Sequence, residues 1–166
     1  MEKKPGFDAE AKTLMEDLKQ DLHMEGLSSL RLINRYDIQG IDKNTYEMVV
    51  SSVFAEPALD DHWHEELPAG DDAKVFASEY LPGQYDQRAD SAAQCIRIIK
   101  PEAEPIVKFA RVYALYGDIT EEELGKVIEY CINPVDSRQA DDKKPLSLQM
   151  ETTLPDDVSK VKGLVK

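Results

Sequence analysis

The chain has 166 residues, enough to bury a sizeable core as one domain or as two small packed units. Its 33 acidic against 20 basic residues leave a formal net charge of −13, a field that repels phosphate backbones and anionic lipid and argues against binding nucleic acid or a membrane surface. No apolar run approaches the ~18 residues of a spanning helix, and the opening MEKKPGFDAE lacks the apolar stretch of a secretory signal, so a soluble cytoplasmic protein is expected.

In chain order, Pro5-Gly6 reads as a turn, and Asp8 as the cap of a helix with an apolar stripe at Ala11, Leu14, Met15, Leu18 and Leu22. Leu30, Leu32, Tyr36 and Ile38 alternate with Arg31, Arg35 and Asp37, the period-2 pattern of a half-buried strand. The pattern is interrupted at Ile33 and Asn34, and the strand ends near Gly40. Asp42 starts a short helix with Val49, Val50, Val53 and Phe54 on one side, and Pro57 stops it by withholding an N–H. A short strand is expected within 58–64, and LPAGDD (67–72) reads as a connector.

The order then repeats. A strand over 74–81 leads through Pro82-Gly83 into a helix from about Asp86 to Ile99, with Ala92, Cys95, Ile96 and Ile99 on one face. A strand over 106–116 follows; Ala110, Val112 and Ala114 make its second face apolar, so it is covered on both faces or sits at an interface. Thr120 to Glu123 is a capping-box sequence, and Leu124, Val127, Ile128 and Cys131 form the stripe of the helix it starts.

Pro5, Gly6, Tyr36, Gly40 and Pro57 recur 77 positions later as Pro82, Gly83, Tyr113, Gly117 and Pro134. Gly and Pro each answer a specific backbone demand, so matches at one offset imply a duplicated unit with shared turns. The units are 1–66, whose first strand is truncated, and 74–140, joined by a connector over 67–73; 141–166 reads as a polar linker. An unpaired edge in the first unit favours self-association.

Candidate chemistry is sparse. His62, His64 and Glu66 alternate, so on a strand they would share one face as metal ligands can; the alternative is a solvated acidic strand end. Cys95 and Cys131 stand alone and read as small core residues in a reducing compartment. Neither a glycine-rich phosphate loop nor a nucleophile elbow is present. The polar turn Gln84 to Ser91, which holds Tyr85, Asp86, Gln87, Arg88, Asp90 and Ser91, reads as a capped helix start in which Arg88 could reach a carboxylate or phosphate on a neighbouring domain.

Four stretches, EKKPGFDAEA, NRYDIQGI, LPGQYDQRADSAAQC and VYALYGDITEEELGKVIEYCINPVDSR, resemble the N-terminal region of the large, single-chain phosphoribosylformylglycinamidine synthases of purine biosynthesis. The resemblance covers residues 2 to about 157. It implies an α+β domain of two tandem strand-helix-strand-helix-strand repeats, each like the small accessory subunit of the multi-subunit enzyme, with helices packed on an antiparallel or mixed sheet. It further implies a scaffold that bridges synthetase and glutaminase domains and shelters ammonia between them, or a free-standing adaptor that binds those domains in trans. ATP and magnesium belong to the synthetase domain and the cysteine nucleophile to the glutaminase domain, so the chain alone is expected to be inert. Asp86, Gln87, Arg88, Asp90 and Ser91 fall where the resemblance implies contact with the rest of such an enzyme.

Overall fold

The computed structural model describes residues 1–67, 69–141 and 144–149. Of the linker read from the sequence, 142–143 and 150–166 lie outside the described residues, as does Pro68 of the connector. Strand β1 is Glu2–Lys3, helix α1 Ala9–Asp21, β2 Leu27–Gln39, α2 Lys43–Val49 and β3 Asp60–Asp61. Strand β4 is Lys74–Tyr80, helix α3 Gln87–Ile99, β5 Ile106–Gly117, α4 Glu121–Cys131 and β6 Ser137–Gln139. The chain is thus α+β. Its six described strands form one sheet in the order β3-β1-β2-β5-β4-β6, and every neighbouring pair is antiparallel.

β2 and β5 form the centre of the sheet. Their register places Asn34 opposite Arg111, which stands 77 positions later, and pairs Tyr36 with Phe109 and Leu32 with Tyr113. The flanking pairs keep corresponding registers: Glu2 lies opposite Asp61 where Glu79 lies opposite Arg138, and Lys3 opposite Asp60 where Tyr80 lies opposite Ser137. Turn hydrogen bonds recur at the same offset. The Lys4 N–H donates to the Leu59 carbonyl at 2.9 Å, and the Leu81 N–H to the Asp136 carbonyl at 2.8 Å.

β2 is continuous through Ile33 and Asn34, correcting the expected interruption. Ile33 breaks the polar half of the alternation because the second face of the sheet is itself buried there. Ile33 packs with Ala77, Ala110, Val112 and Ala140, so β5 is apolar on both sides for a packing reason.

The helices lie over the other face. Stripe residues of α1 (Ala11, Leu18) and α4 (Val127) share a cluster with Leu27, Leu30, Tyr113 and Leu115. Val49 and Phe54 share a second cluster with Ala92 and Ile96 of α3. Each cluster therefore takes one helix from each half of the chain, and neither half buries its own apolar face alone. Among the described residues no helix is long and apolar enough to cross a membrane.

Local details follow side-chain chemistry. The Asp42 carboxylate accepts from the Thr45 N–H at 2.7 Å, and Thr120 with Glu123 closes a capping box. Asp8 stands at the N-cap of α1 without capping it by its side chain; its carboxylate accepts from the Gly6 N–H and pairs with Lys12 at 2.8 Å. After Val49 the helix widens into a π-helical segment, Val50–Phe54, which the apolar spacing did not signal. Cys95 is exposed rather than a core residue, because Ala92, Ala93 and Ile96 already fill the inner face of α3. Cys131 packs at the edge of the α1/α4 cluster, and burial pushes its thiol up to about 11.

Candidate functional site

The five residues singled out before α3 divide by what they touch. Asp86 is the N-cap: its Oδ1 accepts from the Arg88 N–H at 3.0 Å and the Ala89 N–H at 3.1 Å. Asp90 is held from two sides, accepting from the Tyr85 hydroxyl at 2.9 Å and from Gln94 Nε2 at 2.6 Å. Arg88 does not bridge the two aspartates. Its guanidinium carbon stands 5.2 Å from the centroid of the Phe109 ring on β5. Gln87 and Ser91 are exposed.

The turn thus carries ordered side chains at the surface. Tyr85 is 71% exposed yet its hydroxyl is anchored, and the same bond raises its pKa above the usual phenol range. An exposed aromatic and an exposed arginine held by neighbours lose little freedom on contact, a property of residues that anchor interfaces. The sequence pointed to the turn but not to Phe109, which is 21 positions from Arg88 and joined to it only by the α3–β5 packing.

A second feature lies beside β2. A cavity of about 1010 Å³ is lined by β2, the end of α2, residues 62–67, parts of β4 and β5, and residues 139–141 and 144–148. Arg35 and Asp37 project into it from one strand face, paired at 3.2 Å. Arg35 Nη1 donates to the Asp141 carbonyl at 2.9 Å, and the Leu148 N–H donates to Gln39 Oε1 at 2.8 Å. Burial holds the Asp37 carboxyl above its ordinary range, with Arg35 opposing that shift. The polar half of the β2 alternation was the sequence signal for this pair; Asp141 and Leu148, which bond Arg35 and Gln39, had none.

Of the two readings of His62, His64 and Glu66, the strand face of metal ligands is not formed. β3 covers only Asp60–Asp61, and Glu65 takes a left-handed φ of 63°, so residues 62–66 do not alternate as a strand would. His62 and His64 stack edge to face with centroids 5.3 Å apart, and His64 Nδ1 is hydrogen-bonded to the Tyr46 hydroxyl. Among the described residues no three His, Cys, Asp or Glu side chains converge to hold a metal.

No family model, no curated protein and no solved structure matches the chain.

Proposed function

We propose that this chain is a non-catalytic scaffold of a phosphoribosylformylglycinamidine synthase, acting in the cytoplasm. It is built of two accessory-subunit-like repeats and bridges the synthetase and glutaminase domains. The observation that carries the reading is the set of strand registers and turn hydrogen bonds repeated 77 residues apart, which is what two copies of one unit paired through their long strands require. The resemblance of the four sequence stretches supplies the identity of the unit. The anchored surface at Tyr85, Arg88 and Asp90 is the side on which the partner domains dock.

In this role the domain shields the route between the two active centres. Ammonia transferred as NH₃ must avoid protonation, because ammonium has no lone pair with which to attack, and excluding water from the path serves that end.

The test is reconstitution. The chain is added to the separately produced synthetase and glutaminase domains of such an enzyme, and glutamine-supported turnover is compared with ammonia-supported turnover. The expected result is co-purification and a rise confined to the glutamine-supported reaction, lost in Arg88→Glu. Turnover of formylglycinamide ribonucleotide by the chain alone, or lack of association with either domain with and without ATP and glutamine, would reject the scaffold.

A further inference from the structure

Arg88 has an equivalent in the first half of the chain, and the two differ in how they are satisfied. α1 and α3 each begin after an aspartate, Asp8 and Asp86, and their second residues are Glu10 and Arg88. Glu10 is paired, because Arg111 on β5 donates to its carboxylate. Arg88 stands over Phe109, two residues from Arg111 on the same face of β5, so both helix starts lie over the middle of the sheet. Asn34 lies opposite Arg111 in the register and precedes it by 77 residues, so it holds for Arg88 the place that Arg111 holds for Glu10. Asn34 brings a neutral amide there, not a carboxylate. Arg31, Arg35, Arg111 and Arg138 are each paired with an acidic side chain. Arg88 and Arg97 have no ion pair among the described residues, and of these two only Arg88 is held over an aromatic ring.

We infer that Arg88 is completed by a carboxylate of the docking partner, an Asp or Glu side chain that pairs across the interface as Glu10 and Arg111 pair within the domain. The inference rests on the scaffold reading and names the chemistry of its contact. Phe109 prepares the guanidinium. It packs against Tyr36 with ring centroids 5.2 Å apart, and Tyr36 packs against buried Phe54 at 5.0 Å, so the ring beside Arg88 is backed by the core. A guanidinium stacked on a ring keeps its N–H edge for a bidentate carboxylate. The acids of the same turn do not take that edge: Asp86 accepts from the backbone N–H groups of Arg88 and Ala89, and Asp90 from Tyr85 and Gln94. The same bonds favour a carboxylate over a phosphate. A phosphate at a helix start is held by free backbone N–H groups, and here Asp86 has taken two of them and adds its own charge against a dianion. An acidic residue of the partner is repelled by a chain of net charge −13, so Arg88 fixes the register of docking as well as adding affinity.

The test uses the full chain with the separately produced synthetase and glutaminase domains. Arg88→Lys places an amine at this position, and a carbodiimide joins an amine to a carboxylate in contact with it, with loss of water. The expected product links position 88 of that variant to an Asp or Glu of one of the domains, located by mass mapping. Arg88→Met keeps the stem beside Phe109 and drops the charge; it is expected to weaken association at least about tenfold, as loss of an arginine at an interface centre does, while Arg88→Lys keeps most of the affinity. A lysine in place of the linked acid weakens association with the parent chain, and Arg88→Glu restores it. With the parent chain associating, three results overturn the inference: Arg88→Met binding as tightly as the parent, position 88 linked only to acids of its own chain, or association that requires inorganic phosphate, which assigns Arg88 to a phosphate instead. Failure of the parent chain to associate with either domain rejects the scaffold reading and this inference with it, an outcome distinct from the other three.

Discussion

Alanine substitution at the four glycines related by the 77-residue offset separates two backbone costs. Gly6 and Gly83 have φ of +96° and +90°, and a Cβ at either would meet nothing within 4 Å. Gly40 has φ +86°, and its Cβ would stand 2.3 Å from the Glu104 carbonyl oxygen; Gly117 has φ +126°, with the Gly26 carbonyl oxygen at 2.1 Å. All four variants pay the left-handed penalty of roughly 1–2 kcal/mol, partly offset by a stiffer unfolded chain worth ~0.4–1 kcal/mol. At Gly40 and Gly117 the strand end must also move off a backbone neighbour, an overpacking cost of roughly 1–3 kcal/mol. Gly6→Ala and Gly83→Ala are therefore expected to lose about 1 kcal/mol, and Gly40→Ala and Gly117→Ala roughly 2–4 kcal/mol, a large share of the ~5–15 kcal/mol typical of a domain. Urea unfolding followed by far-ultraviolet circular dichroism, with unchanged m-values, measures this. Equal losses at all four sites would refute the argument that close strand approach, rather than φ alone, selects glycine at the two strand ends.

Three further outcomes are expected. Thr120→Ala opens the capping box and lowers unfolding stability by about 1 kcal/mol, whereas Thr120→Ser retains most of it; equal losses in the two variants would show that the hydroxyl bond to the Glu123 N–H contributes nothing. Cys95 is modified by a thiol reagent in the folded protein, while Cys131, two pKa units above its ordinary value, holds about 100-fold less thiolate and reacts only on unfolding; mass mapping of the label checks the order. Because burial raises the Asp37 pKa, the folded state binds that proton more tightly than the unfolded chain, so this group's contribution to stability falls as pH rises from about 4 through the raised value. Asp37→Asn removes that fall, and the urea midpoint of the variant gains on the parent across the window; parallel pH profiles would contradict it.

The elements were legible in the sequence because their signals are local. The stripe of α1, the Asp42, Asp86 and Thr120 caps and the alternation of β2 each depend on neighbours within a turn or a pleat. The 77-residue offset was legible for the same reason, since a glycine with positive φ and a proline mark turns wherever the chain carries them. The turn before α3 could be picked out, yet the partners that order it could not: Phe109 reaches Arg88 only through the packing of α3 on β5.

Tertiary structure alone decided what covers what. It exposed Cys95, although the helical period placed that residue with Ala92 and Ile96, because the inner face of α3 has room for small side chains and one isoleucine. It ended the strand at Asp61 and gave Glu65 a left-handed φ, so Glu66 does not continue the spacing of the two histidines, whose rings stand 5.3 Å apart. It also paired β2 with β5, burying helices of both halves in common clusters. Spacing along the chain determines which residues share a face, but the partner of that face is set by burial between segments tens of residues apart, and no local period encodes it.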